Sequence, residues 1–166
     1  NSTKPVVCYV NGVAAGAGAN LALACDITLA AKTAKFIQSF INIGLVPDTG
    51  GSFTLPRAIG KQKAAALMMS GDKLSAEDAE RMGMIYKCVD DADGLQEAVN
   101  FTERISLMPT QSIGYIKHML KASERNDLQQ QLDLEKELQK KAAASYDHQE
   151  GINAFFEKRK PVYKGE

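Results

Sequence analysis

The sequence predicts an α/β fold, and three observations lead there. Two short apolar segments, Pro5 to Val10 and Ile27 to Ala30, have the length and composition of buried strands. Between them runs Asn11-Gly12-Val13-Ala14-Ala15-Gly16-Ala17-Gly18-Ala19-Asn20-Leu21-Ala22-Leu23-Ala24-Cys25-Asp26, a glycine- and alanine-rich turn that opens a helix over about Gly18 to Ala24. From Asp90 onward every segment has helical spacing. An α/β opening followed by a helical tail reads as one folded unit with an appendage.

The elements follow in order. Lys32 to Lys35 is a polar turn. Phe36 to Phe40 alternates, with Phe36, Gln38 and Phe40 on one side and Ile37 and Ser39 on the other, and is expected to be a short strand. Val46-Pro47-Asp48-Thr49-Gly50-Gly51 is a second turn-rich segment, ahead of a helix from Gly50 to Arg57. Lys61 to Ser70 is a helix and Gly71-Asp72-Lys73 a turn. Ser75 with Asp78 three residues on has the spacing of a capping box, and Gly83 closes that helix. Ile85 to Val89 is a short apolar strand. Leu95 to Leu107, Pro109 to Glu124 and Asp127 to Ala144 are helices, the last with Leu128, Leu132, Leu138 and Ala142 on one stripe. Asp147 is the expected N-cap of a final helix containing Phe155 and Phe156.

Composition narrows the function classes. At 166 residues the chain can bury a substantial core. The formal net charge of +0 offers no electrostatic case for nucleic acid or an anionic membrane surface. No apolar run approaches a membrane span, and the polar opening Asn1-Ser2-Thr3-Lys4 is not a signal peptide. Cys8, Cys25 and Cys88 have no metal-ligand spacing and read as reduced core thiols, so a cytoplasmic location and no metal are expected. His118 and His148 stand in charged helical surroundings and read as surface or helix-end residues.

The glycine-rich turn carries the chemistry. Small residues allow close approach of a ligand or another backbone. A helix N-terminus presents free N–H groups and the positive end of its dipole, which suits a developing oxyanion. A dinucleotide fingerprint is the competing reading. It fails because Leu21 stands at its third glycine and Asp26 comes too early for a ribose contact.

The full pattern Asn-Gly-x-Ala-x-Gly-x-Gly-x-x-Leu-Ala-Leu-x-Cys-Asp, Asn11 to Asp26, resembles the crotonase, or enoyl-CoA hydratase/isomerase, superfamily. So do Gly-Asp-x-Leu-Ser-Ala-Glu-x-Ala from Gly71 to Ala79 and the ending Phe-x-x-Lys-Arg-x-Pro-x-aromatic. The resemblance implies an incomplete crotonase-like ββα spiral over residues 1–90 and a C-terminal helical oligomerisation or lid region over 91–166. It implies an acyl-CoA thioester as substrate, no separate cofactor, and a homotrimer or hexamer. Ala17 is the implied oxyanion donor through its backbone N–H, flanked by Gly16 and Gly18. Lys158 and Arg159 are either a solvated helix end or contacts to CoA phosphates.

The family's hydratases use two glutamates, and the matching positions here are Asn20 and Phe40. Neither side chain can move a proton near neutral pH. Asp48 remains. An Asp after Pro and before a helix is a natural N-cap. In the family, several isomerases carry their acid/base at this loop position. Gly-Leu-x-Pro-Asp-x-Gly-Gly, with Asn20 upstream, looks most like the branch of ring-1,2-epoxyphenylacetyl-CoA and Δ3-Δ2 enoyl-CoA isomerases. The implied role of Asp48 is acid/base, with Asn20, Phe40, Val46, Pro47 and Gly50 lining the substrate site. The alternatives are an enoyl-CoA hydratase and a non-catalytic module that binds CoA or a protein. Crotonases carry a further N-terminal third with a second oxyanion donor in an Ala-x-x-Ala-Asp-type motif. That motif is absent here, so the chain is expected to be the C-terminal portion of a longer protein.

Overall fold

A computed structural model describes residues 2–166. The chain forms two compact units, Val6–Phe101 and Thr102–Glu166, the latter together with the described residues ahead of Val6.

The first unit holds β1 (Val7–Val10), β2 (Val13–Ala15), α1 (Ala17–Ala24), β3 (Ile27–Ala31), β4 (Lys35–Ile37) and a 3-10 turn over Ser39–Ile43. It continues with α2 (Gly51–Ile59), α3 (Lys61–Ser70), β5 (Lys73–Ser75), α4 (Ala76–Arg81), β6 (Lys87–Val89) and the start of α5 (Gly94–Ser106). One sheet has the order β1-β3-β6, all parallel; the other has β2-β4-β5, with β2 and β4 parallel and β4 and β5 antiparallel. The chain therefore visits both sheets in each turn. β1 and β2 precede α1, and β3 and β4 precede α2. Each ββα repeat adds one strand to each sheet, which is the expected crotonase-like spiral.

The core on the helix side of these sheets is built from small residues. Ala14, Ala19, Ala22, Ala30, Ala31, Ala34 and Ala64 are buried around Phe36, Leu55, Ile59 and Leu74. Alanine on both surfaces lets helices and strands approach closely, and α1 packs on α2 and α2 on α3. Across the first sheet, Leu29, Val89 and Ala98 form a second cluster with Phe101, whose ring lies 5.2 Å from that of Tyr86. The first turns of α5 cover this sheet and belong to the first unit.

Three expectations about local structure are corrected. The glycine-rich run contains β2, a three-residue strand with only Ala14 turned inward. The strand expected over Phe36 to Phe40 ends at Ile37, yet Phe36, Gln38 and Phe40 are all buried. Lys73, expected to end the turn that begins at Gly71, instead starts β5 (Lys73–Ser75), which pairs with β4.

The second unit contains the rest of α5, then α6 (Thr110–Ser123), α7 (Leu128–Ala143) and α8 (Tyr146–Glu157). Asp127 and Gln130 close a capping box at the start of α7. On the expected α7 stripe Leu138 is buried, whereas Leu128 is 76% exposed. The N-cap of α8 is Ser145, not Asp147: the Ser145 hydroxyl accepts the His148 N–H at 3.1 Å. Asp147 is buried because its carboxylate accepts the backbone N–H groups of Lys164 and Gly165, at 2.7 and 2.9 Å. The final segment thus folds back on α8. Among the described residues no helix is long and apolar enough to cross a membrane.

Candidate active site

The site residues expected from the glycine-rich turn and the Asp48 loop all lie in the first unit. Gly16 is the hinge between β2 and α1. Its N–H donates to the Ile37 carbonyl at 2.8 Å, and its φ of 52° is a backbone conformation that side chains resist. A Cβ there would stand 3.3 Å from Ser39 Oγ and 3.5 Å from the Phe40 ring, so Phe40 packs directly on this glycine. Ala17 is the first residue of α1 and exposed. The N–H groups of Ala17 and Gly18 are among those an α-helix leaves without an internal acceptor. A Cβ at Gly18 would meet nothing within 4 Å, so the protein's own packing does not demand glycine there.

Asn20, one turn into α1, is 1% exposed. Its Oδ1 accepts from Gln38 Nε2 at 2.9 Å, and its Nδ2 donates to the backbone carbonyl of Asp48 at 2.9 Å. That carbonyl also accepts the Gly51 N–H at 2.9 Å. Gly51 presses on the Asn20 amide so closely that a Cβ would come within 2.5 Å of three of its atoms. The loop bearing Asp48 is therefore bonded through its main chain to the helix that opens with Ala17.

The Asp48 carboxylate points elsewhere. Asp48 is exposed, and Oδ1 accepts the Thr49 hydroxyl at 2.5 Å. Gly50, not Asp48, is the N-cap of α2, and that cap has no side-chain hydrogen bond. The capping role open in the sequence is therefore not taken. Thr49 has φ 51°, unusual for a β-branched residue, and Gly50 follows at 77°. Strain of this kind costs on the order of 1–3 kcal/mol and persists where the surroundings over-determine it. Pro47 is half-buried, while Ile43, Leu45 and Val46, which precede it in the chain, are 74%, 55% and 79% exposed.

Lys158 and Arg159 belong to the other unit. Lys158 is exposed. Arg159 is committed to carboxylates: its two terminal nitrogens fork onto Glu150 at 2.5 and 2.8 Å, and Nε donates to Glu157 at 2.5 Å. The fork and the N–H of Val162 hold the Glu150 carboxyl down to about 2.

The Enoyl-CoA hydratase/isomerase family description matches residues 1–166. The chain belongs to the enoyl-CoA hydratase/isomerase family. It is 46% identical over 162 residues to the 1,2-epoxyphenylacetyl-CoA isomerase of Escherichia coli K12, covering 98% of this chain and 62% of that protein. It is 42% identical over 163 residues to the trans-2-decenoyl-(acyl-carrier-protein) isomerase of Streptococcus mutans, again over 98% of this chain and 62% of the relative. The crystal structure of an enoyl-CoA hydratase from Polaromonas sp. JS666 superposes with a TM-score of 0.94 at 36% identity, over 98% of this chain and 63% of that one. The chain thus spans about 62% of the length of the curated relatives it matches.

Two site residues escaped the sequence reading of this family member. Gln38 was legible only as a polar residue sharing a face with Phe36 and Phe40. Gly51 was hidden behind Gly50, its neighbour in a Gly-Gly pair.

Proposed function

We propose that the protein is an acyl-CoA isomerase that moves a double bond, or rearranges a ring epoxide, through a thioester enolate. The observation that carries this reading is the Asp48 carboxylate, exposed and free of helix capping, on a loop tied to the helix that begins with Ala17. Asp48 removes a proton from a carbon acidified by the thioester. The C–H electron pair moves toward the carbonyl oxygen, and the N–H of Ala17 donates to that oxygen. The protonated carboxyl of Asp48 then returns the proton to another carbon, so the product is an isomer and no cofactor is consumed. Gly16, Gly18, Phe40, Val46, Pro47 and Gly50 shape the acyl site. Two relatives named as isomerases support the reading. So do Asn20 and Phe40, standing where the resemblance places the hydratase glutamates. A homotrimer or hexamer, and contact of Lys158 with CoA phosphate, belong to the same proposal.

The similarity to a structure titled enoyl-CoA hydratase keeps water addition as a second reading. Asp48→Asn in the full-length gene product separates them. Isomerisation of a 3-enoyl-CoA is expected to fall by about 100-fold or more, with calorimetric binding of a saturated acyl-CoA retained. Efficient hydration of a 2-enoyl-CoA would favour the hydratase instead. Binding without turnover of either substrate would leave a CoA-binding module.

A further inference from the structure

We propose that Asn20 and Gln38 are positioning residues that aim the Asp48 carboxylate by holding its main-chain carbonyl, without themselves touching substrate. The inference rests on the isomerase reading and names the machinery behind its acid.

Each polar contact in this chain of three residues dictates the next. The Asp48 carbonyl can only accept, so Asn20 must turn its Nδ2 toward it. Asn20 Oδ1 then faces the other way and needs a donor, which Gln38 Nε2 supplies. Gln38 is 3% exposed, and its own Oε1 has no protein partner among the described residues. A buried amide oxygen left unpaired is costly. The arrangement gives that up while satisfying the orientation of Asn20. Shape adds a third constraint, because Gly51 leaves room for the Asn20 amide only by lacking a side chain. Together these contacts fix the loop in which Thr49 holds its positive φ. A carboxylate at position 20 could not donate to the Asp48 carbonyl. An apolar residue would leave the Asp48 carbonyl with the Gly51 N–H, a bond within its own turn, and without the tie to α1.

The test is a double-mutant cycle in the full-length gene product. Asn20→Ala should lower kcat for 3-enoyl-CoA isomerisation about ten- to a hundredfold while KM moves less than about threefold, because a misaimed base costs rate more than binding. In an Asp48→Asn background the same substitution should add almost no further loss, since the group it aims is gone. Gln38→Leu, which leaves Asn20 in place, should show a smaller loss with the same non-additivity, and serves if Asn20→Ala fails to fold. Hydrogen exchange at the Gly51 amide should quicken in both variants. Losses that multiply across the cycle, or an unchanged kcat in Asn20→Ala and Gln38→Leu, would overturn the proposal. Full activity of Asp48→Asn would instead remove the isomerase reading, and this inference with it.

Discussion

Asn20 shows how one residue's role changes between sequence and structure. In the sequence it is an amide, in the first turn of a helix, at the position where the family resemblance places a glutamate of the hydratases. In the fold it is sealed, with its oxygen on Gln38 and its nitrogen on Asp48. Neither partner is within the reach of local pattern, since they lie 18 and 28 positions away. Gly51 gives the sharpest prediction at this scale. Gly51→Ala places a methyl group inside the Asn20 amide and forces it to shift. Overpacking of this kind costs about 1–3 kcal/mol, readable as a lower midpoint in denaturant unfolding. The proposed isomerase activity should fall with it, and an unchanged midpoint and rate would show the contact to be slack. Gly50→Ala is a control of a different kind: it meets no neighbour, and its only difficulty is its φ of 77°.

The helices were readable because each carries its own signals. Lys61 to Ser70 lies between two glycines, and the structure ends it with Gly71 in the left-handed conformation. Asp127 starts α7 with the capping box its spacing permits. Ser75 does double duty, ending β5 and capping α4: its hydroxyl accepts the Asp78 N–H at 3.1 Å and donates to the Asp78 carboxylate at 2.7 Å. Ser75→Ala should therefore cost about 1 kcal/mol, measured by urea unfolding. A loss near zero would mean that the strand pairing alone holds this corner. The strands were harder to read. β2, β4, β5 and β6 are three residues each. A strand that short has no alternation to count, and its existence depends on the partner across the sheet. Asp147 failed as a cap for a related reason. The amides of Lys164 and Gly165, brought back by the chain's return, outcompete its own helix for the carboxylate.

On the scale of the whole molecule, two devices organise the chain. In Val6–Phe101 strands β1 to β4 alternate between two sheets, and β5 and β6 then add one strand to each, so each sheet is assembled from segments separated by a helix. In the other unit, buried acids on α8 hold the final segment. Glu150 receives Arg159 as a fork and the Val162 N–H at 2.8 Å. Its carboxyl is held to about 2, below the ordinary 4.5, first by Arg159 and then by Val162. A folded pKa below the unfolded one stabilises the fold above the unfolded value, and that stability is lost as pH falls from 4.5 through about 2. Thermal unfolding of the parent and of Glu150→Gln should thus differ most near neutral pH, and the gap should close across that window. A gap that stays constant down to pH 2 would show that the ionised carboxylate contributes nothing.

The sequence by itself determined the α/β class, the places of the helices and the turn that opens with Gly16-Ala17-Gly18, because glycine, capping residues and helical spacing act within a few residues. At Asp48 it left a cap and an acid both open, and the family resemblance favoured the acid. Only the tertiary structure decided that Asp48 is not a cap, that Asn20 faces inward, and that Gln38 and Gly51 complete its surroundings. Those outcomes depend on which buried donor meets which acceptor across distant segments, and hydrogen bonding of that kind is settled when the segments pack, not along the chain.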